Sequence, residues 1–413
     1  MLQQPNIRVA AGISSWVSGK QPVSGKMQTE LIQIGGAGPA GLAAAITLAR
    51  AGRRVRVHEV QAEVGHRFDG DLQGLENWSS AQDVVVMLRE LGITTEFAMV
   101  PFRHGLAFDA WDERYEIAGS RTLFYTVERG PGSSTLDTAL LEQARGLGVE
   151  VRFNSRLDGL DGPGILATGP KVADAIAVGY HFDTSLEDGF WVILDDELAP
   201  KGYAYLLVMN GCGTVKSCMF SGFKQEHVYV QRTVEAFQRL VGLEMLNPRP
   251  HGGAGNFHIP AHATTGVHPV VGEEAGFQDF LWGFGMRYAI LSGVLAARSL
   301  LDGKNYELLW HRELWPLMWS SMVNRTIFSM LGNKGYRWVL QQSRKRPWDV
   351  HRILHGVYRP WPIKRLLLPW ARLRYHSQRR DESCNHVNCT CVWCRHGDHR
   401  IAGARNACGS QSS

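Results

Sequence analysis

The stretch from Leu31 to Glu59 constrains this chain more than any other, because its residue types fall in the order strand, glycine turn, helix, strand, acid. Leu31-Ile-Gln-Ile-Gly35 is a short apolar run, and Gly36, Gly38 and Gly41 follow it as a GxGxxG pattern. The first glycine permits a tight turn, the second lets the backbone approach a pyrophosphate, and the third lets a helix pack closely on the strand. Pro39 and Ala40 stand inside that turn, ahead of a helix predicted over Ala43–Ala51 whose positive N-terminus faces the anion. Gly52 ends the helix, and Val55-Arg-Val-His-Glu59 supplies a second strand with a carboxylate at its tip. The acid lies at the roughly 20-residue spacing that reaches a ribose hydroxyl, so the segment predicts an adenine dinucleotide site.

At 413 residues with 44% hydrophobic content, the chain can bury a large core and is expected to form two interleaved domains with appendages. No apolar run is long enough to cross a membrane as a helix, which predicts a soluble or peripheral chain. Only Cys212 and Cys218 of the seven cysteines lie before residue 383, a reducing-compartment pattern that predicts a cytoplasmic location. Residues 1–26 lack acids and are rich in Gly, Ser and Gln. They read as a disordered extension or an upstream start ahead of Met27, with a transit peptide as the other reading. Between Ser343 and Arg380, eleven Lys or Arg stand against the single acid Asp349, alternating with Trp348, Trp361, Leu366–Leu368 and Trp370. That mixture suits an anionic membrane surface, which would hold the protein peripheral to the membrane; a solvated helix face is the alternative. No nucleic-acid-binding module is recognisable, so nucleic acid is not an expected partner.

Along the chain, 27–95, 131–174 and 263–303 are expected to build the dinucleotide domain. A loop is expected over Gly65–Asn77 and helices over Ala81–Leu91 and Leu136–Leu147. Hairpins in 96–130 and the Val-, Ile- and aromatic-rich block in 175–262 predict one inserted sheet, backed by a helix over Gln231–Val241. Residues 304–380 read as a basic helical region and 381–413 as a Cys- and His-rich tail.

The N-terminal fingerprint, the inserted sheet and the late Gly283-Phe284-Gly285-Met286 that opens a helix together resemble the hydroxylase-like superfamily of FAD enzymes, and within it the geranylgeranyl reductase family. The resemblance spans about Leu31 to Leu301. It implies an α/β fold with a Rossmann-like FAD-binding domain, an inserted antiparallel-sheet substrate domain and a helical C-terminal region. Gly272-Glu273 stands where such flavoproteins carry a Gly-Asp pair whose acid binds the ribityl chain. Gln278-Asp279-Phe-Leu-Trp-Gly283-Phe284-Gly285-Met286 is similar to the loop whose free amides hydrogen-bond the pyrimidine edge of the flavin. Leu198-Ala-Pro-Lys-Gly-Tyr203-Ala-Tyr205 is similar to the Pro-Gly-Gly-Tyr-Ala-Trp strand beside the substrate cavity, with Tyr205 in place of Trp and Leu206-Leu-Val208 in place of Phe-Pro-Lys. His66-Arg67-Phe-Asp-Gly-Asp71 replaces a cysteine-bearing loop, and Arg129 stands where an arginine approaches the FAD.

The resemblance implies FAD lying extended, with its adenosine ribose on Glu59, its pyrophosphate over Gly36–Gly41 and its ring against Gly283–Met286. The implied reaction is hydride transfer from reduced flavin to a C=C bond of an isoprenoid or other lipid, with Tyr203 and Tyr205 as candidate proton donors. NAD(P)H or an electron-donor protein such as a ferredoxin would supply the electrons. Monooxygenation of an apolar substrate with NAD(P)H and O2 is the rival on the same fold. A third reading is a non-catalytic flavoprotein scaffold, because Cys384, His386, Cys389, Cys391 and Cys394 put enough thiolate and imidazole in one place for a Zn-binding interaction tail.

Overall fold

The computed structural model describes residues 30–170, 173–345 and 349–375. Strand β1 (Leu31–Gly35) and strand β2 (Arg54–His58) flank helix α1 (Pro39–Arg50). Small residues dominate α1, and Ala40 through Ile46 are all buried, so neighbouring backbone can come unusually close to it. The chain continues through β3 (Leu72–Glu76), α2 (Val84–Leu91), β4 (Met99–Phe102), β5 (His104–Asp109), β6 (Arg114–Ala118) and β7 (Phe124–Glu128). Helix α3 (Leu136–Gly146) starts where the Thr135 hydroxyl accepts the Thr138 N–H, and β8 (Glu150–Arg152) and β9 (Gly164–Leu166) follow it. Parallel pairing in the order β8-β2-β1-β9 makes the nucleotide-type sheet.

The next block is nearly all strand: β10 (Ala175–Asp183), β11 (Gly189–Leu194), β12 (Tyr203–Met209), β13 (Cys212–Met219) and, after α4 (Glu226–Val241), β14 (Leu246–Gly255). With β5 and β6 they form a seven-stranded sheet in the order β14-β10-β13-β12-β11-β5-β6, antiparallel except at β11-β5. Helix α5 (Met286–Asp302) returns to α1, and α6 (Tyr306–Glu313), α7 (Trp315–Lys345), α8 (Val350–Tyr358) and α9 (Pro362–Arg374) complete the chain. Helix α7 breaks at Gly332, whose φ of 58° and ψ of −176° no helical turn accommodates. No helix among the described residues is long and apolar enough to cross a membrane.

Three sequence expectations are corrected. Residues 65–77 are not all loop, since Leu72–Glu76 pairs with β7. The hairpin region is not one sheet either: β4 and β7 join β3 in a separate three-stranded sheet, while β5 and β6 extend the large one. The chain changes sheets at Arg103 between β4 and β5, and alternation of apolar residues specifies a buried face without naming the partner strand. Helix α4 also begins earlier than expected, at Glu226, and ends at Gly242 in the left-handed region (φ 68°).

Helices α1 and α5 touch backbone to backbone. A Cβ built on Gly293 would lie 2.0 Å from the Ala40 carbonyl oxygen. Gly293→Ala is therefore expected to cost about 1–3 kcal/mol through overpacking. Gly146→Ala, where a Cβ meets nothing within 4 Å, is expected to be neutral or slightly stabilising. Denaturant melts of the two variants beside the parent check this.

Candidate active site

A cavity of about 1080 Å³ reaches from the first turn of α1 to the inner faces of α7 and α8. At its α1 end the three fingerprint glycines have different reasons to be glycine. Gly36 has a φ of 106°, and a Cβ there would lie 2.1 Å from the Ala167 carbonyl oxygen. Gly41 sits beneath it, where a Cβ would lie 2.0 Å from the Gly36 carbonyl oxygen. Gly38 has an ordinary extended backbone (φ −76°, ψ 177°), and nothing lies within 4 Å of a Cβ built on it. Neither conformation nor packing within the chain requires glycine there, so the space belongs to whatever enters the cavity. Gly38 caps α1 without a side-chain hydrogen bond, which leaves the helix N-terminus open to an anion beside Ala37, Pro39 and Ala40. Glu59 is fixed at the rim, accepting the Ala37 N–H at 2.8 Å and the Gln61 N–H at 2.9 Å. Its remaining lone pairs suit a ribose hydroxyl, and these residues fit the adenosine and pyrophosphate half of FAD.

Toward the middle of the cavity, Gly272 (φ 63°) donates to Ser292 Oγ at 2.9 Å and packs on Ala40, bringing the next residue to the wall. Glu273 joins three segments: Arg67 Nη2 donates to one oxygen at 2.8 Å and Gln278 Nε2 to the other at 3.0 Å. Gly283, Phe284, Gly285 and Met286 line the cavity where α5 begins, again without a side-chain cap. Asp279 departs from the expected contact with cofactor, because it lies behind this loop and does not line the cavity. It accepts from the N–H groups of Leu281 (3.0 Å) and Trp282 (2.9 Å) and from the Tyr358 hydroxyl (2.7 Å). Burial nevertheless pushes its carboxyl up to about 6. Its work is to shape the turn that presents Gly283 and Gly285. His66 is on the wall beside Glu63. Arg129 is there too, but Asp137 holds its guanidinium in a bidentate pair at 2.7 and 2.9 Å and Gln73 takes a third N–H at 3.0 Å.

On the far wall, Tyr203 and Tyr205 project from β12 into the cavity. Tyr203 donates to the Trp282 carbonyl oxygen, whereas the Tyr205 hydroxyl has no hydrogen-bond partner among the described residues. Burial raises both phenols well above the ordinary tyrosine value. Phe124, Phe190 and Val192 continue this wall, and Leu331, Leu354 and Val357 of α7 and α8 close it. The sequence did not place α7 and α8 at the site. It also missed a buried polar cluster: Lys216 Nζ donates to Asp71 at 2.6 Å and to His251 Nδ1 at 2.8 Å. The available signal was a lone lysine inside the otherwise uncharged strand Cys212–Met219. Among the described residues no group of His, Cys, Asp and Glu could hold a metal ion, and Cys384, His386, Cys389, Cys391 and Cys394 lie outside them.

No family model matches the chain. A digeranylgeranylglycerophospholipid reductase of Haloferax volcanii is 23% identical over 383 residues, covering 76% of this chain and 89% of the relative. The solved structure of a geranylgeranyl bacteriochlorophyll reductase-like protein of Thermoplasma acidophilum superposes with a TM-score of 0.65 at 15% identity, over 83% of this chain and 100% of that one. The chain therefore has the fold of this reductase-like protein. The same fold is shared with the flavin-dependent halogenase CmlS, at a TM-score of 0.54 and 16% identity over 84% of this chain and 77% of the halogenase.

Because nothing in the protein lies within 4 Å of a Cβ on Gly38, Gly38→Ala is expected to cost the cofactor-free protein only the modest penalty of a poorer N-cap, about 0.5–1 kcal/mol. It is expected to weaken FAD binding at least about tenfold, a loss of about 1.4 kcal/mol. Titration of apoprotein with FAD, followed by quenching of flavin fluorescence, reads the affinity.

Proposed function

We propose that this protein uses reduced FAD to saturate a C=C bond in an isoprenoid or other lipid. The observation that carries the reading is the continuity of the cavity, with glycine-lined backbone at one end and a hydrocarbon wall at the other. Bound FAD would supply the hydride. Gly36, Gly38 and Glu59 would hold its adenosine diphosphate half, and Arg67, Gly272, Glu273 and Gly283–Met286 would surround the ribityl chain and ring. The aromatic and aliphatic residues of β7, β11, α7 and α8 would bury the substrate chain and exclude water from the reacting bond. The Haloferax relative is named as a reductase of a prenylated lipid, which supports the same substrate class. The chain has no second glycine-rich nucleotide fingerprint, so NAD(P)H or a donor protein would dock transiently to reduce the flavin. Protein reduced without oxygen and mixed with a geranylgeranyl lipid is expected to regain its yellow colour and yield a more saturated lipid. Turnover that requires O2 and gives a hydroxylated product would support the monooxygenase reading instead.

The C-terminal helices support a membrane-facing position. One side of α9 buries Leu368 and Ala371, while Ile363, Leu366 and Leu373 remain 68%, 81% and 76% exposed. Arg365, Arg372 and Arg374 stand exposed between them. Apolar side chains interleaved with arginine suit the interface of an anionic bilayer. The protein is expected to float with anionic vesicles and not with zwitterionic ones, and added salt is expected to weaken the association. Replacing Ile363, Leu366 and Leu373 together by Ser is expected to leave the protein at the bottom of the gradient.

A further inference from the structure

One register row of the seven-stranded sheet reads Tyr205 on β12, Lys216 on β13, Gly179 on β10 and His251 on β14. Directly paired residues project on the same side of a sheet. Gly179 contributes no side chain to this row, and a Cβ there would lie 1.9 Å from the Val215 carbonyl oxygen. The gap lets Lys216 extend across β10 to His251 Nδ1 at 2.8 Å, while Asp71 meets the same ammonium at 2.6 Å. Asp71 is itself held by Gln73 Nε2 at 3.0 Å and Thr214 Oγ1 at 3.3 Å. His251 Nε2 faces the Arg67 carbonyl oxygen at 2.9 Å, which fixes the neutral tautomer with its proton on Nε2 and an acceptor at Nδ1. An ammonium has three N–H donors, and two are engaged here. The side chains of Lys216 and Asp71 are 2% and 1% exposed, yet both line the cavity together with His251.

We propose that Lys216 is the acid that protonates the substrate carbon left without hydride, with Asp71 and His251 as its positioning residues. The assignment rests on the reduction proposed above. Bound FAD, once reduced, would supply the hydride for one new C–H bond. The alkene π pair takes a proton from a breaking Lys216 N–H bond to form the other. The neutral amine remains between Asp71 and His251 and regains its proton from water after the product leaves. Tyr203 is poorly placed for this work because its O–H is directed at the Trp282 carbonyl. Tyr205 is buried and correspondingly a weak acid, whereas burial lowers the Lys216 ammonium from the usual lysine value even with Asp71 beside it. Burial likewise lowers His251, and Lys216 beside it acts in the same direction, which keeps the ring a neutral acceptor. The other titratable or charged groups around the cluster are Cys218 on β13, His181 on β10, Arg249 on β14, Glu128 on β7, and Arg67 and Asp69 in the loop before β3.

The test uses the full chain loaded with FAD, in wild-type form and as Lys216→Met, Lys216→Arg, Asp71→Asn and Tyr205→Phe. Flavin reduced with dithionite under argon is mixed with a geranylgeranyl lipid, and its reoxidation is followed from about pH 6 to about pH 10. Wild type is expected to lose rate at high pH as Lys216 deprotonates. Lys216→Met is expected to be at least about 100-fold slower, without that alkaline limb, while it binds FAD as wild type does. Lys216→Arg keeps a cation beside Asp71 but cannot release its proton, so it is expected to stay slow; it decides the matter if Lys216→Met does not fold. A second readout needs no turnover: in 15N-lysine spectra of apoprotein, the Lys216 ammonium is expected to titrate below an ordinary lysine, and lower still in Asp71→Asn. A wild-type rate and pH profile in Lys216→Met, full activity in Lys216→Arg, or an alkaline limb lost only in Tyr205→Phe would each overturn the assignment. Wild-type flavin that no olefin reoxidises would count against the reduction itself, whereas an unperturbed titration in the spectra would count against Lys216 alone.

Discussion

The first turn of α1 is held in place by contacts that leave little or no room for a Cβ. Gly293 of α5 meets the Ala40 carbonyl, Gly272 meets the Ala40 methyl, and Gly41 meets the Gly36 carbonyl. Each contact joins backbone or methyl groups, which have no rotamers with which to yield. A side chain at any of these glycines would displace the helix end as a rigid unit, and the amides that face the cavity would move with it. This end of the candidate site is therefore fixed by helix packing as well as by the positive φ of Gly36 and Gly272.

The helical C-terminal region is the other rigid support. Ser321 Oγ accepts the Phe280 N–H at 3.1 Å, Arg325 Nη1 donates to the Leu281 carbonyl at 3.0 Å, and Tyr358 donates to Asp279. Arg325 also lies over the rings of Phe220 and Phe328 and donates to the Lys201 carbonyl, so one buried guanidinium ties α7 to the loop before β12 and to the loop before α5. These helices fix the glycine loop from behind and wall the cavity from above. A chain ending after α5 would lack both functions.

The glycine-lined end of the cavity was legible because its signals are local. The fingerprint from Gly36 to Glu59 and the turn from Gly283 to Met286 each lie within one short segment, and residue type reports backbone geometry directly there. What escaped was long-range. Strand β3 is short and polar enough to pass for loop, and its partner β7 lies far along the chain. Asp71 and Lys216 are 145 positions apart, and only the folded register reveals that a glycine on β10 opens the space between Lys216 and His251. Asp279 was assigned to the cofactor because its motif lies beside the right loop, yet the N–H groups of Leu281 and Trp282 turn its carboxylate inward. Arg129 does line the cavity, but Asp137, which takes up its charge, is a partner that sequence position alone did not identify.

This division has a chemical consequence. A glycine-lined cofactor end is compatible with a reductase, an oxygenase or a halogenase, since the fold is shared among flavoproteins with different reactions. The distinction must come from the opposite wall, where Phe124, Phe190, Val192, Leu331, Leu354 and Val357 give an apolar surface and Lys216, Asp71 and His251 form a hydrogen-bonded charged cluster. A buried ion pair of this kind contributes little net stability, because desolvation of both charges offsets their attraction. An apolar pair of similar volume would hold β3 against β13 at least as well. Maintaining three hydrogen-bonded polar side chains there makes physical sense where the cavity needs a proton source shielded from bulk water, and a hydrocarbon substrate brings none of its own.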